Sequence, residues 1–141
     1  MRLPLVIIES RYAAKTAEGL IRNWNYLRFA IADSISRGEA PFASHGFFTQ
    51  MLNDRSPEAR KLGLRLAVEF IKRADAMAIY TDYGWSRGMR AGARWAVRFD
   101  LPVSERKIGR LSKWQKSSSL LKYIQPVSST RSPATTAGKG S

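Results

Sequence analysis

The sequence predicts a three-layer α/β domain on a mostly parallel sheet of four to five strands, and three observations carry that prediction. Apolar runs short enough for strands alternate with longer segments of helical period. Leu3 to Ile8 is a continuous apolar run, the pattern of a strand covered on both faces. The alternation stops near residue 104, where the composition turns polar and basic. The domain is therefore expected over residues 1–104, with residues 105–141 as a basic C-terminal extension.

Each element has its own signal. After the first strand, Leu20, Trp24, Leu27, Ile31 and Ile35 recur at helical spacing from about Thr16 to Ser36, and Gly38 stops that helix. Ala40-Pro41-Phe42-Ala43 reads as a short second strand. The stretch from His45 to Pro57 has no period and is expected to be irregular. Ser56-Pro57-Glu58 is a helix start, with Ser as N-cap and Pro at the first helical position, for a helix reaching about Arg73. Ala76 to Tyr80 forms the third strand, Thr81 to Trp85 a loop, and Ser86 to about Phe99 the next helix. Asp100-Leu101-Pro102-Val103 is expected as the fourth strand. Beyond it, a short helix near residues 113–124 and then a disordered Ser/Thr/Pro/Gly-rich tail are expected.

Composition removes several chemistries. The 141 residues contain no cysteine and a single histidine, His45, so thiol nucleophiles, disulfides and histidine-rich metal centres are excluded. No Ser-His-Asp arrangement is credible, and no Walker or GxGxxG signature occurs. No metal site or cofactor is expected. No segment approaches the ~20 apolar residues of a membrane span, and the N-terminal run ends in Glu9 without a cleavage site. A cytoplasmic protein without membrane contact is the expectation. The net charge of +13 favours anionic partners: a nucleotide, nucleic acid or an acidic protein. Both parts contribute, since residues 105–141 carry eight Lys/Arg against one Glu.

In open parallel sheets ligands bind beyond the carboxyl ends of the strands. Two loops are expected there, Glu9-Ser10-Arg11-Tyr12 and Asp82 to Met89. Ser86 suits a helix N-cap, Gly88 lets a ligand approach the backbone, and the N–H groups of residues 87–89 make an anion site. An ordinary cap explains the same residues. On the helix that follows, Arg87, Arg90, Arg94 and Arg98 recur every three or four residues, repelling by a few tenths of a kcal/mol per pair. This stripe, with Lys113 and Lys116 around Trp114, suits either a solvated face or a polyanion surface. Tyr83 and Trp85 suit stacking on a base or lining an oligomer interface. A lone histidine such as His45 is more often structural than a ligand group, and Asp75 also reads as structural.

Ser10-x-Tyr12, Pro41-Phe42-Ala43-x-His45 with Thr49-Gln50, Leu62-Gly63-Leu64, and Asp82 with Ser86-x-Gly88-Met89 occur in this order. The series resembles a small bacterial and phage branch of the superfamily of nucleoside 2-deoxyribosyltransferases and deoxynucleotide N-hydrolases, over roughly residues 3–104. That resemblance implies a doubly wound, flavodoxin- or Rossmann-like fold and a homo-oligomer, dimeric or larger. It implies a nucleotide or nucleoside-phosphate ligand, with Ser86, Gly88 and Met89 as the phosphate turn. Asp82 would face base or sugar, Tyr12 would be the pocket aromatic, and Ser10 and His45 are expected to bind the ligand with them. The glutamate that attacks the anomeric carbon in that superfamily does not carry over, because Gly92 stands in its place. Asp82 and Glu9 are the remaining carboxylates at the mouth and the only catalytic candidates. The expectation is a binding protein without glycosidase activity, sensing or sequestering a phosphorylated ligand. Two alternatives stand beside it: a nucleic-acid- or protein-binding accessory factor using the basic face and tail, and an N-glycosidase with a displaced carboxylate.

Overall fold

A computed structural model describes residues 2–53 and 55–109. Eight elements follow in order: β1 (Leu5–Glu9), α1 (Ala17–Ser36), β2 (Ala40–Phe42), α2 (Ser44–Met51), α3 (Pro57–Ile71), β3 (Ala76–Tyr80), α4 (Arg87–Arg98) and β4 (Val103–Arg106). The strands form one sheet in the order β2-β1-β3-β4, with every pairing parallel. The fold is therefore the three-layer, flavodoxin/Rossmann-like arrangement expected.

Alternation along the strands divides the core. Val6, Ile8, Ala78 and Tyr80 face α1 and pack with Tyr26, Leu27 and Ala30. Ile7, Met77 and Ile79 face the other way, against Ile71 of α3, Met89 and Ala96 of α4, and Leu101. Both faces of β1 and β3 are thus covered, which is why their sequences are apolar without interruption. Thr16 caps α1 by accepting from the Gly19 N–H at 3.0 Å, and Gly38 ends the helix region with φ +78°. Ser56 caps α3 with Pro57 at its first position, as the sequence signal requires.

Two elements depart from expectation. The stretch after His45 is not irregular, because Ser44–Met51 is a helix, α2. Its N-cap, Ala43, makes no side-chain cap bond, and it buries no residue fully, so it lacks both ordinary signals. It is held instead by contacts with neighbours: Phe47 and Phe48 pack around Phe42, which stacks on Phe70 at 4.3 Å. The fourth strand lies at Val103–Arg106, three residues later than expected. It is an exposed edge strand of mixed polarity, so hydropathy pointed to the wrong residues. The sheet thereby runs past the boundary expected at residue 104. The helix expected near 113–124, the tail, Lys113 and Lys116 lie outside the described residues.

Candidate functional site

The sheet order makes the carboxyl ends of β1 and β3 the topological switch point: the chain leaves β1 for β2 on one side and returns to β3 on the other. The loops after these strands are tied together there, the Arg11 guanidinium donating from Nη2 to the Trp85 carbonyl at 2.8 Å. Buried Asn23 fixes the first loop from α1 by donating to the Tyr12 carbonyl at 2.8 Å. Neither Arg11 nor Asn23 was singled out from sequence. The only signal was a polar residue on the apolar face of α1, and for Arg11 there was none, since its partner is 74 residues away.

Ser10, Tyr12 and His45 come together as expected. Ser10 Oγ and His45 Nε2 lie 2.9 Å apart, and the Tyr12 ring meets the imidazole edge-on at 5.9 Å. Burial pushes the His45 pKa down to about 4, so the ring is neutral at pH 7. Its Nδ1 is buried and has no partner, and the same is true of Arg11 Nε.

On the α4 side, Ser86 Oγ accepts from the Met89 N–H at 3.2 Å, while the Ser86 N–H points to Met89 Sδ. This reciprocal cap buries Met89 and uses the serine hydroxyl. The N–H groups of Arg87 and Gly88, at the first two helical positions, have no intrahelical acceptor. A Cβ built on Gly88 would meet nothing nearer than Ser86 Oγ at 3.9 Å, so the space before this turn is open.

Asp82 is employed differently from the other expected site residues. Its carboxylate accepts from the Tyr26 hydroxyl and from the N–H groups of Ile108 (2.9 Å) and Gly109 (3.0 Å). Burial raises its pKa, but these hydrogen bonds and the charge of Lys107 outweigh it and hold the group below the usual aspartate range. Asp82 is thus an ionised anchor that fastens the chain after β4 to the loop after β3.

Glu9 presents the least expected geometry. It ends β1 on the face toward α4, and its carboxyl is directed at Gly92. A Cβ on Gly92 would lie 2.7 Å from Glu9 Oε1 and 2.9 Å from Cδ. The carboxyl of Glu9 therefore occupies the ground into which a side chain at position 92 would grow. Among the described residues no donor or cation pairs with it, and burial without a partner pushes its pKa up to about 8. At neutral pH it is a carboxylic acid able to give a proton. The described residues contain no group of three or more His, Asp or Glu able to hold a metal ion, and no helix long and apolar enough to cross a membrane.

Arg87, Arg90, Arg94 and Arg98 are all exposed on the outward face of α4. Residues 4–106 match a family described as a domain of unknown function, DUF7768. No curated protein matches the chain.

Proposed function

The chain belongs to the DUF7768 family, and from the geometry of its switch point we propose that it binds a nucleoside or nucleotide beyond the carboxyl ends of β1 and β3. One observation carries the reading. Arg11 Nε and His45 Nδ1 are two of only three buried side-chain N or O atoms without a partner among the described residues. Glu9, whose carboxyl also has none, lies two residues from Arg11. An unmade bond of this kind costs about 1–3 kcal/mol. Arg11 lies on the loop after β1 and His45 is bonded to Ser10 at its start, and unpaired buried groups at a switch point suit a ligand. A guanidinium and the first N–H groups of α4 suit a phosphate. Neutral His45, protonated Glu9 and the Tyr12 ring suit the hydrogen-bonding and flat surfaces of a sugar and base. The resemblance of the Ser86-x-Gly88-Met89 turn to that of the deoxyribosyltransferase superfamily supports the same ligand class. Held without turnover, such a ligand would be sensed or sequestered.

Thermal shift with deoxynucleoside and ribonucleoside monophosphates tests this. A ligand at 100 times its Kd stabilises by about 2.7 kcal/mol. Gly88→Ala meets no steric obstacle, and in a helix it gains up to about 1 kcal/mol of propensity. It should therefore leave the free protein at least as stable while weakening a phosphate ligand by tenfold or more. Absence of a shift with every nucleotide and nucleoside at millimolar concentration would overturn the proposal.

The placement of Glu9 favours a second reading, N-glycosidic cleavage by a displaced carboxyl. A protonated Glu9 gives its proton to the departing base as the C1′–N bond breaks. Water adds to the sugar carbon and returns a proton to the carboxylate. Release of free base from deoxynucleoside monophosphates, abolished by Glu9→Gln, would establish it. Saturable binding without base release would leave binding alone.

A further inference from the structure

From the arrangement of arginine and tryptophan along α4 we infer a second binding surface, on the outward face of that helix, for the phosphodiester backbone of nucleic acid. Arg87, Arg90, Arg94 and Arg98 span about 16 Å at 1.5 Å per residue. Four like charges in that distance disfavour the isolated helix, and α4 offers them no relief, for it contains no acidic residue. Asp82 before the helix is engaged by Tyr26, Ile108 and Gly109, and Asp100 follows its last turn. Arg87 and Arg94 make no ion pair among the described residues. Elsewhere in this domain cations do find carboxylates: Arg2 with Asp75, Arg37 with Asp33, Lys72 and Arg73 with Glu69, Arg106 with Glu39. Among the described residues Lys15, Arg55, Lys61 and Arg65 also lack an ion pair, so the stripe is set apart by its regular spacing along one helix face.

The other two arginines are placed by indoles. The Arg90 guanidinium lies 5.5 Å from the Trp85 ring centre, and that of Arg98 lies 5.3 Å from Trp95. Trp95 in turn stacks on Phe99 at 5.7 Å with an interplanar angle of 10°, and Lys72 covers Phe99 at 5.6 Å. A guanidinium held over an indole by cation–π attraction still has donors for bidentate hydrogen bonds to phosphate. The helix therefore alternates free arginines with arginines held over indoles, all of one sign.

Uniform charge selects the occupant. Protein interfaces pair complementary charges in a particular register, whereas this face has one sign from end to end and matches a polymer of evenly repeated anions. Stable insertion into a lipid surface would need a continuous exposed apolar face. The apolar face of α4, Met89, Gly92 and Ala96, is already buried in the domain. The surface adjoins the crevice at Trp85 and Arg87 and extends along the helix beyond it, and it does not depend on a nucleotide binding in the crevice.

Fluorescence anisotropy with labelled single-stranded and duplex DNA, titrated with the full chain from 50 to 300 mM salt, reads it. In Arg87→Ala/Arg94→Ala, the slope of log K against log salt should fall in magnitude by about 1.4–1.8, two phosphate contacts' worth. Affinity at the lowest salt should drop about tenfold or more, with the melting temperature no lower than the parent's. Arg90→Lys/Arg98→Lys keeps the charge and removes the fork, so it should lose affinity several-fold with the slope retained. An unchanged Kd and slope in the alanine variant would overturn the proposal. So would displacement of DNA by polyglutamate at equal charge concentration, or equal binding to anionic vesicles, since each would assign the stripe to another occupant.

Discussion

Glu9 and His45 have opposite electrostatic histories, and both are neutral at pH 7. Folding raises Glu9 from 4.5 to about 8, so the protonated form favours the folded state. That contribution is complete below pH 4.5 and is lost as pH rises through 8. His45 falls from 6.5 to about 4, so its neutral form favours folding and its contribution is lost as pH drops through that window. Glu9→Gln should abolish the alkaline loss, leaving the variant more stable than the parent at pH 9 by on the order of 2 kcal/mol after discounting for partial exposure. Melting temperatures of both proteins from pH 5 to 9 check it; parallel curves would show that Glu9 ionises freely. Gly92→Ala approaches Glu9 from the helix. Its Cβ meets only the far end of the Glu9 side chain, which can swing away. The change should therefore cost little, be partly offset by up to about 1 kcal/mol of helix propensity, and flatten the same pH dependence. At this scale the sequence showed which carboxylates lay near the mouth and that position 92 lacked one. It did not show that Glu9 fills the ground before Gly92, because that depends on how closely α4 approaches β1.

Elements were legible where the pattern is local. The Ser56-Pro57 start of α3, the Gly38 stop after α1, and β3 over Ala76–Tyr80 were read from adjacent residues and lie where expected. α2 was invisible because its reasons are remote. Gly46 lets it approach α1, since a Cβ there would lie 2.5 Å from Cδ2 of Leu27, a core residue. The aromatic cluster of Phe42, Phe47, Phe48 and Phe70 then joins three elements. β4 escaped for a different reason: an edge strand with exposed Val103, Ser104 and Glu105 needs no apolar run. Gly46→Ala makes the close approach testable. Although alanine is the better helix former, Leu27 is packed on its other sides and cannot yield freely, so the variant should lose about 1–3 kcal/mol. Urea unfolding reads that loss, and a neutral or stabilising result would mean that α2 is free to shift away from α1.

The whole domain is closed by residues that were expected to lie outside it. Arg106 grips Glu39, just before β2, with two hydrogen bonds of 2.6 and 2.9 Å, and both side chains are only 13% exposed. Ser34 adds a third bond to that carboxylate, and Arg106 also donates to the Tyr80 hydroxyl, which in turn donates to Asp33. The Arg106 hydrogen bonds hold Glu39 below the usual glutamate range, and Glu39 in turn raises Arg106. Two residues on, Ile108 and Gly109 satisfy Asp82 at the edge of the candidate site. Composition turned basic at residue 105 and so suggested an extension, yet the first residues of that basic segment join the edge strand to α1, to β2 and to the loop after β3. A chain ended after residue 104 should therefore fare much worse than one ended after 109. It leaves Glu39 a poorly solvated carboxylate without its cation, a loss of about 3–5 kcal/mol, and removes two donors from Asp82. For a domain of this size that corresponds to a melting temperature at least about 10 °C lower. The chain ended after 109 keeps every one of these bonds and should melt well above the chain ended after 104. Circular dichroism melts of the three lengths decide it: equal stability of the 104- and 109-residue chains would show that the Arg106–Glu39 pair only offsets its own desolvation and that the sheet closes without it.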